Sequence, residues 1–180
     1  MDLDLFFGNK TKADILKYLF FKEDKISARE LENKLDQSFP AIKKQIDNLE
    51  KAWIVDKNKT WNRWQLEICE NIKPLIKKIF IYYIKDFINS LQKQNESFIK
   101  WIFLVDFFYD KKDLWVDLVF IYSEVDKVFL DDFKKQISAF LDSYFLDLKI
   151  VFMLNTDYEK RLRFADKFVI KLNNYKNFKL

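Results

Sequence analysis

The chain has 180 residues, 49% of them hydrophobic and 33% charged, which excludes a disordered or fibrous protein and allows one domain or two small ones. It has no histidine and a single cysteine, Cys69, so an internal disulfide and nearly every zinc-site pattern are excluded. The net charge of +4 is unevenly held: residues 1–70 and 101–180 each carry 13 basic and 13 acidic side chains, and the excess comes from six lysines against two acids in 71–100.

Aromatics at 18%, with 20 Phe, imply large apolar cores. No apolar run reaches the ~18 residues of a membrane-crossing helix. The best one, IFIYYIKDFI, is cut by Lys85 and Asp86. The N-terminal MDLDLFFGNK has acids where a signal peptide carries basic residues. A cytoplasmic protein with no membrane partner is the expectation.

In chain order, Leu3, Leu5, Phe6 and Phe7 lead to a turn at Gly8. Thr11 is placed to cap a first helix with Ile15, Leu16, Leu19 and Phe20 on one face, ending near Lys22. Ile26 is expected in a short edge strand. Ser27 with Glu30 is a capping-box signature for a second helix, which carries Leu31 and Leu35 and breaks at Asp36-Gln37. Ser38 then caps a third helix, residues 38–52, with Pro40 in its first turn. Its Ile42, Ile46 and Leu49 recur at i, i+4, i+7 and form a buried face. Ser38, Lys43, Lys44 and Asp47 lie on the opposite face. Two strands follow, Ile54-Val55 and Gln65 to Ile68, with Lys57, Lys59, Asn62 and Arg63 around the hairpin tip.

The runs LFFGNKTKADILKYLFF and ISARELENKLDQSFPAIKKQIDNLEKAWIV resemble the winged helix-turn-helix transcriptional regulators of the MarR and ArsR kind, over about residues 5 to 68. The resemblance implies that the third helix enters a DNA major groove and that the basic hairpin lies on the backbone. Ser38, Phe39, Lys43, Lys44, Asp47, Lys57, Lys59, Asn62 and Arg63 are then the DNA-binding candidates. Lysines meet phosphates or guanine edges, Phe39 is a thymine-methyl contact or a packing residue, and Asp47 is an acceptor for a cytosine amine. Trp53 stands where the family usually has glycine, and Trp61, Trp64, Trp101 and Trp115 also fall at or near expected turns. Two readings stand: five ordinary aromatics, some of them buried anchors, or several glycines encoded by UGA, as some bacterial lineages read that codon, which UGG codons at these positions would exclude.

Ile72, Leu75, Ile76, Ile79, Phe80, Tyr83, Phe87 and Leu91 mark one face of a long helix with lysines on the other side, expected as a linker and dimer element. Polar QKQNES, 92–97, is the clearest boundary. Beyond it come strand FIKWIFLV, turn-rich DFFYDKKD, strand VDLVFIY, a helix with Val128, Phe129, Phe133, Ile137, Phe140 and Leu141 inward, and strand LDLKIVFML. A helix capped by Thr156 and an edge strand end the chain. The expected fold is α+β: a winged helix (1–70), a linker helix (71–97) and an α/β sandwich with a mixed sheet (98–180).

Residues 98 to 180 resemble the minimal nucleotidyltransferase fold. Active members of that family carry a Gly-Ser after the first strand and an acid-x-acid pair on the second. Here those positions read Asp106-Phe107 and Trp115-Val116-Asp117, and the third acid falls near Asp147 or Lys149, with Lys149 aligned there. One carboxylate cannot hold two magnesium ions, so this resemblance implies a catalytically inactive domain, for dimerisation or ligand sensing. A dimeric DNA-binding regulator without cofactor or metal is the leading expectation, with any small-molecule effector left open. The alternatives are a residual magnesium-dependent nucleotidyltransferase and a winged helix used for protein contact.

Overall fold

The computed structural model describes residues 3–22, 25–60, 63–109, 113–175 and 177–178. The chain divides into two compact units, Met1–Tyr83 with Asp142–Leu146, and Ile84–Leu141 with Asp147–Leu180.

The first unit contains α1 (Leu3–Phe7), α2 (Lys10–Phe21), α3 (Ala28–Leu35), α4 (Phe39–Lys51), β1 (Val55–Thr60), β2 (Arg63–Ile68) and the first half of α5 (Lys73–Gln94). Gly8 joins α1 to α2 at φ 71°, a left-handed turn that suits glycine. Asn9 rather than Thr11 caps α2: its backbone is extended and its side chain accepts from Lys12 N at 3.1 Å. Thr11 lies one residue inside the helix and is buried. Its hydroxyl donates to Gln37 Oε1 at 2.9 Å, tying α2 to the α3–α4 turn. Ile26 bridges Leu66 antiparallel, as expected of a short edge strand, with Leu66 N donating to Ile26 O at 2.9 Å. Ser27 and Glu30 form the complete capping box of α3.

β1 and β2 pair antiparallel from Val55↔Ile68 to Thr60↔Arg63. The order of helix, bridging residue, helix, helix and two-stranded hairpin is the one expected of a winged helix. Ile15, Leu16, Leu31, Ile42, Ile46, Leu49 and Ile68 are buried between these elements. Each such side chain contributes about 2 kcal/mol through lost water contact. On α5 the buried apolar positions are Ile76, Phe80, Tyr83, Ile84, Ile88 and Leu91, while Leu75, expected inward, is exposed. The buried stripe is thus rotated from the expected one about Phe80, which belongs to both. Its ring packs among Phe20, Phe21 and Tyr144 at 5.4, 5.0 and 6.3 Å.

The second unit holds the rest of α5, β3 (Ile99–Leu104), α6 (Asp106–Tyr109), β4 (Leu118–Tyr122), α7 (Lys127–Ser143), β5 (Ile150–Leu154), α8 (Asn155–Arg163), α9 (Lys167–Asn173) and β6 (Asn177–Phe178). Its sheet is mixed, in the order β5-β4-β3-β6. β3 is antiparallel to β4 and β6, and β4 is parallel to β5. A parallel neighbour needs a long crossover, which α7 supplies. Phe103, Val119, Ile121, Val169 and Leu172 belong to one core cluster, and Phe120 packs against Phe133 and Phe152 at 5.5 and 5.1 Å.

Four local readings change here. The start of DFFYDKKD is a short helix, α6. On α7 only Phe133, Ile137 and Leu141 are buried, while Val128 and Phe129 lie exposed in the first turn. The helix expected from Thr156 onward is two helices, α8 and α9, with Leu154 at the first N-cap position. They part at Ala165, which holds φ 53°. Asp166 N donates back to Arg161 O at 3.0 Å, and the Asp166 carboxylate caps α9 at Phe168 N and Val169 N. Trp101, placed by sequence near a turn, lies within β3.

Candidate nucleic-acid interface

α4 is held from three sides. Ile42, Ile46 and Leu49 anchor its inner face. The α3–α4 turn is closed by Asp36 at φ 50° and by Gln37 N donating to Glu32 O at 3.4 Å. The Glu32 carboxylate also reaches forward and accepts from Phe39 N at 3.2 Å. It therefore meets one of the orphan N–H groups at the start of α4. Ser38 occupies the N-cap position with extended backbone, yet its side chain makes no cap hydrogen bond. The expected Ser38 cap is corrected accordingly, and its hydroxyl stands exposed at the helix start.

The far end of α4 closes in a full Schellman motif. Trp53 N donates to Glu50 O and Ile54 N to Leu49 O, both at 3.0 Å, with Trp53 at φ 58°. The glycine position inferred from sequence is therefore a left-handed one, occupied by an exposed tryptophan.

Lys43 and Lys44 are exposed on the outer face of α4 and make no ion pair among the described residues. Phe39 is half-buried, with the Arg29 guanidinium 6.0 Å from its ring centre, which favours packing over base contact. Asp47 and Lys57 are brought together rather than left open to solvent. Lys57 Nζ lies 2.6 Å from Asp47 Oδ1 and 2.5 Å from Glu50 Oε2, clamping β1 to α4. The hydrogen bond from Lys57 holds the Asp47 carboxyl below its ordinary range against a smaller burial penalty, and the charges of Lys57, Lys43 and Lys51 add to it. Burial pulls the Lys57 ammonium down, but its bonds to Asp47 and Glu50 outweigh this and raise it. Lys57 sits within β1 opposite Leu66, not at the tip.

Lys59 is exposed, with Nζ 6.0 Å from the Trp64 ring centre. Arg63 opens β2 opposite Thr60, and Asn62 lies outside the described residues. Glu32, Glu50, Lys51 and Arg29 were not among the sequence candidates. Glu50 was detectable, since it lies three residues after Asp47 on the same helix face.

In the second unit, Asp106 and Asp117 have their oxygens engaged by the protein. Asp117 accepts from Phe107 N at 3.2 Å and Lys149 N at 3.0 Å, joining three chain segments at one end of the sheet. Asp106 is buried and accepts from Asp113 N, Leu114 N and the Tyr175 hydroxyl at 3.2, 2.9 and 2.8 Å. Burial, then the Asp106 carboxylate, pushes the Tyr175 hydroxyl far up from its ordinary value. No group of three or more His, Cys, Asp or Glu side chains suited to a metal occurs among the described residues.

No family model matches the chain, and no curated protein matches it. Solved structures do. MepR, a transcription regulator of the Staphylococcus aureus multidrug efflux pump MepA, is similar at 13% identity over 78% of this chain and 83% of its own, with a TM-score of 0.47. The adhesin competence repressor AdcR from Streptococcus pyogenes is similar at 15% identity over 74% of this chain and 78% of its own, with a TM-score of 0.45. Reduced HlyU from Vibrio cholerae shares 21% identity over 42% of this chain and 79% of its own, with a TM-score of 0.37. At such identities and overlaps, function has to be read from this chain's own residues.

Proposed function

We propose that the protein is a DNA-binding transcriptional regulator that inserts α4 into the major groove and lays the β1–β2 wing along the backbone. The observation that carries this reading is the exposed Lys43–Lys44 face of α4, directly opposite a fully buried Ile42–Ile46–Leu49 face, on a helix pinned at both ends. Helix 38–52 then supplies base and phosphate contacts from its first two turns. On the wing, Lys59 and Arg63 carry the contact, because Lys57 is spent on Asp47 and Glu50. The hairpin preceding a parallel crossover supports the nucleotidyltransferase-like reading of the second unit. The engagement of Asp106 and Asp117 by backbone amides supports its being inactive. Exposed Leu5 and Phe6 on α1, with Leu75 and Tyr82 on α5, support a homodimer.

The test is selection of bound duplexes from a random pool, followed by affinity measurement on the winner. Replacing Lys43 and Lys44 together by Ala removes two phosphate neutralisations. It is expected to weaken binding and to flatten the slope of log affinity against log salt by about 1.8. Affinity and slope unchanged in the double variant would sink the reading. One observation favours protein contact as the second reading: the Asp47–Lys57–Glu50 clamp puts two carboxylates beside the proposed groove face.

A further inference from the structure

We propose that the second unit binds a single-stranded nucleic acid along the groove between the segment before β4 and α9. The chain from 160 to 171 reads KRLRFADKFVIK. Lys160, Arg161, Arg163, Lys167 and Lys171 on it are all exposed. None of them makes an ion pair with a carboxylate among the described residues. Among the described residues, Asp113 is the one acid that lines the groove; of the acids in the segment, Glu159 accepts from Asn155 Nδ2 at 2.8 Å and Asp166 caps α9. Lys171 Nζ donates only to a backbone oxygen, that of Asp113, at 3.4 Å.

Large apolar side chains are interleaved with these cations. Phe164 is 77% exposed and Trp115 is 66% exposed. Trp115 lies 6.1 Å from Phe168 at an interplanar angle of 32°, and the two rings line an open groove of about 450 Å³. Lys167 and Lys171, one helical turn apart on α9, line the same groove.

An aromatic surface flanked by lysines without an ion pair among the described residues matches the two halves of a nucleotide unit. The ring offers a stacking face to a base, and the ammonium groups meet the phosphates. A duplex hides its base faces, so exposed rings select unstacked strands. The open shape of the groove suits a strand that runs through it, and its cations complement the strand's charge. The groove residues belong to the second unit and α4 to the first, so variants of each test its own activity.

The experiment measures anisotropy of labelled 20-mers of oligo-dT and oligo-rU with the full chain at low salt. Trp115→Ala is expected to weaken binding about ten-fold. Lys167→Ala with Lys171→Ala is expected to flatten the salt slope by about 1.4. Trp115→Phe should retain most of the affinity. Preference for either sugar identifies the source of the strand. All these side chains are exposed, and a circular-dichroism melt verifies that each variant folds. No saturable binding of either 20-mer, or binding indifferent to Trp115 and to the lysine pair, overturns the proposal. So does binding to phosphatidylglycerol vesicles where neither oligonucleotide binds, which would make the patch a lipid surface.

Discussion

Trp53 holds one of four non-glycine positive φ values among the described residues; Asp36, Phe145 and Ala165 hold the others. All four sit at or just beyond helix C-termini, where a left-handed residue lets the last carbonyls be satisfied. With one glycine in the chain, other side chains take these places. A bulky aromatic in this conformation costs about 1 kcal/mol in steric crowding, and Trp53, at 78% exposure, recovers little by packing. Trp53→Gly is therefore expected to stabilise the fold by up to about 1 kcal/mol, raising Tm by about 2–4 °C. A thermal melt checks it, and an unchanged or lower Tm would mean that the indole makes a compensating contact. Of the described tryptophans, only Trp53 has a backbone that calls for glycine: Trp64 and Trp101 lie in strands, and Trp115 is not among the positive-φ residues.

At the level of elements, the wing is tied to α4 by charge as well as by chain connection. Lys57 and its two carboxylates are partly exposed, so the clamp contributes less than about 1 kcal/mol. Its pH dependence has a definite sign. Asp47 is lowered, so its contribution is full above the unfolded value of about 3.9 and is lost as pH falls through the lower folded value. Lys57 is raised, so its contribution is full below about 10.4 and is lost as pH rises through the folded value. Asp47→Asn should thus lower Tm slightly at pH 7, and the difference from the parent should vanish in strong acid. Melts across pH 2 to 8 read this directly; a gap that persists in acid would assign the effect to packing instead.

For the whole molecule, no helix among the described residues is long and apolar enough to cross a membrane. The exposed apolar side chains on α1 and α5 then need another explanation. Leu75 and Tyr82 are 57% and 60% exposed, one face of α5 apart by two turns. If they seat a second copy of the chain, Leu75→Glu with Tyr82→Glu should give a monomer by sedimentation while leaving the helical signal intact. A parent chain that already sediments as a monomer would remove the dimer from the proposed function.

Much of the architecture was legible from local signals. The capping box at Ser27, the break at Asp36, the buried stripe of α4, the hairpin and the mixed sheet all follow from residue spacing and from short-range hydrogen-bond chemistry. The glycine-like site at Trp53 was legible for the same reason. What the linear pattern could not show was which polar partner each group would find. Glu32 takes over the cap expected of Ser38, Thr11 turns inward to Gln37, and Lys57 faces Asp47 and Glu50 rather than a phosphate. Asp106, read at the Gly-Ser position, and Asp117, read as the remaining acid of a metal pair, hold backbone amides brought in from separate segments. Periodicity and capping are short-range properties and are written in the chain. The pairing of charges and carboxylates depends on distances between segments far apart in sequence, and only the tertiary structure decides those.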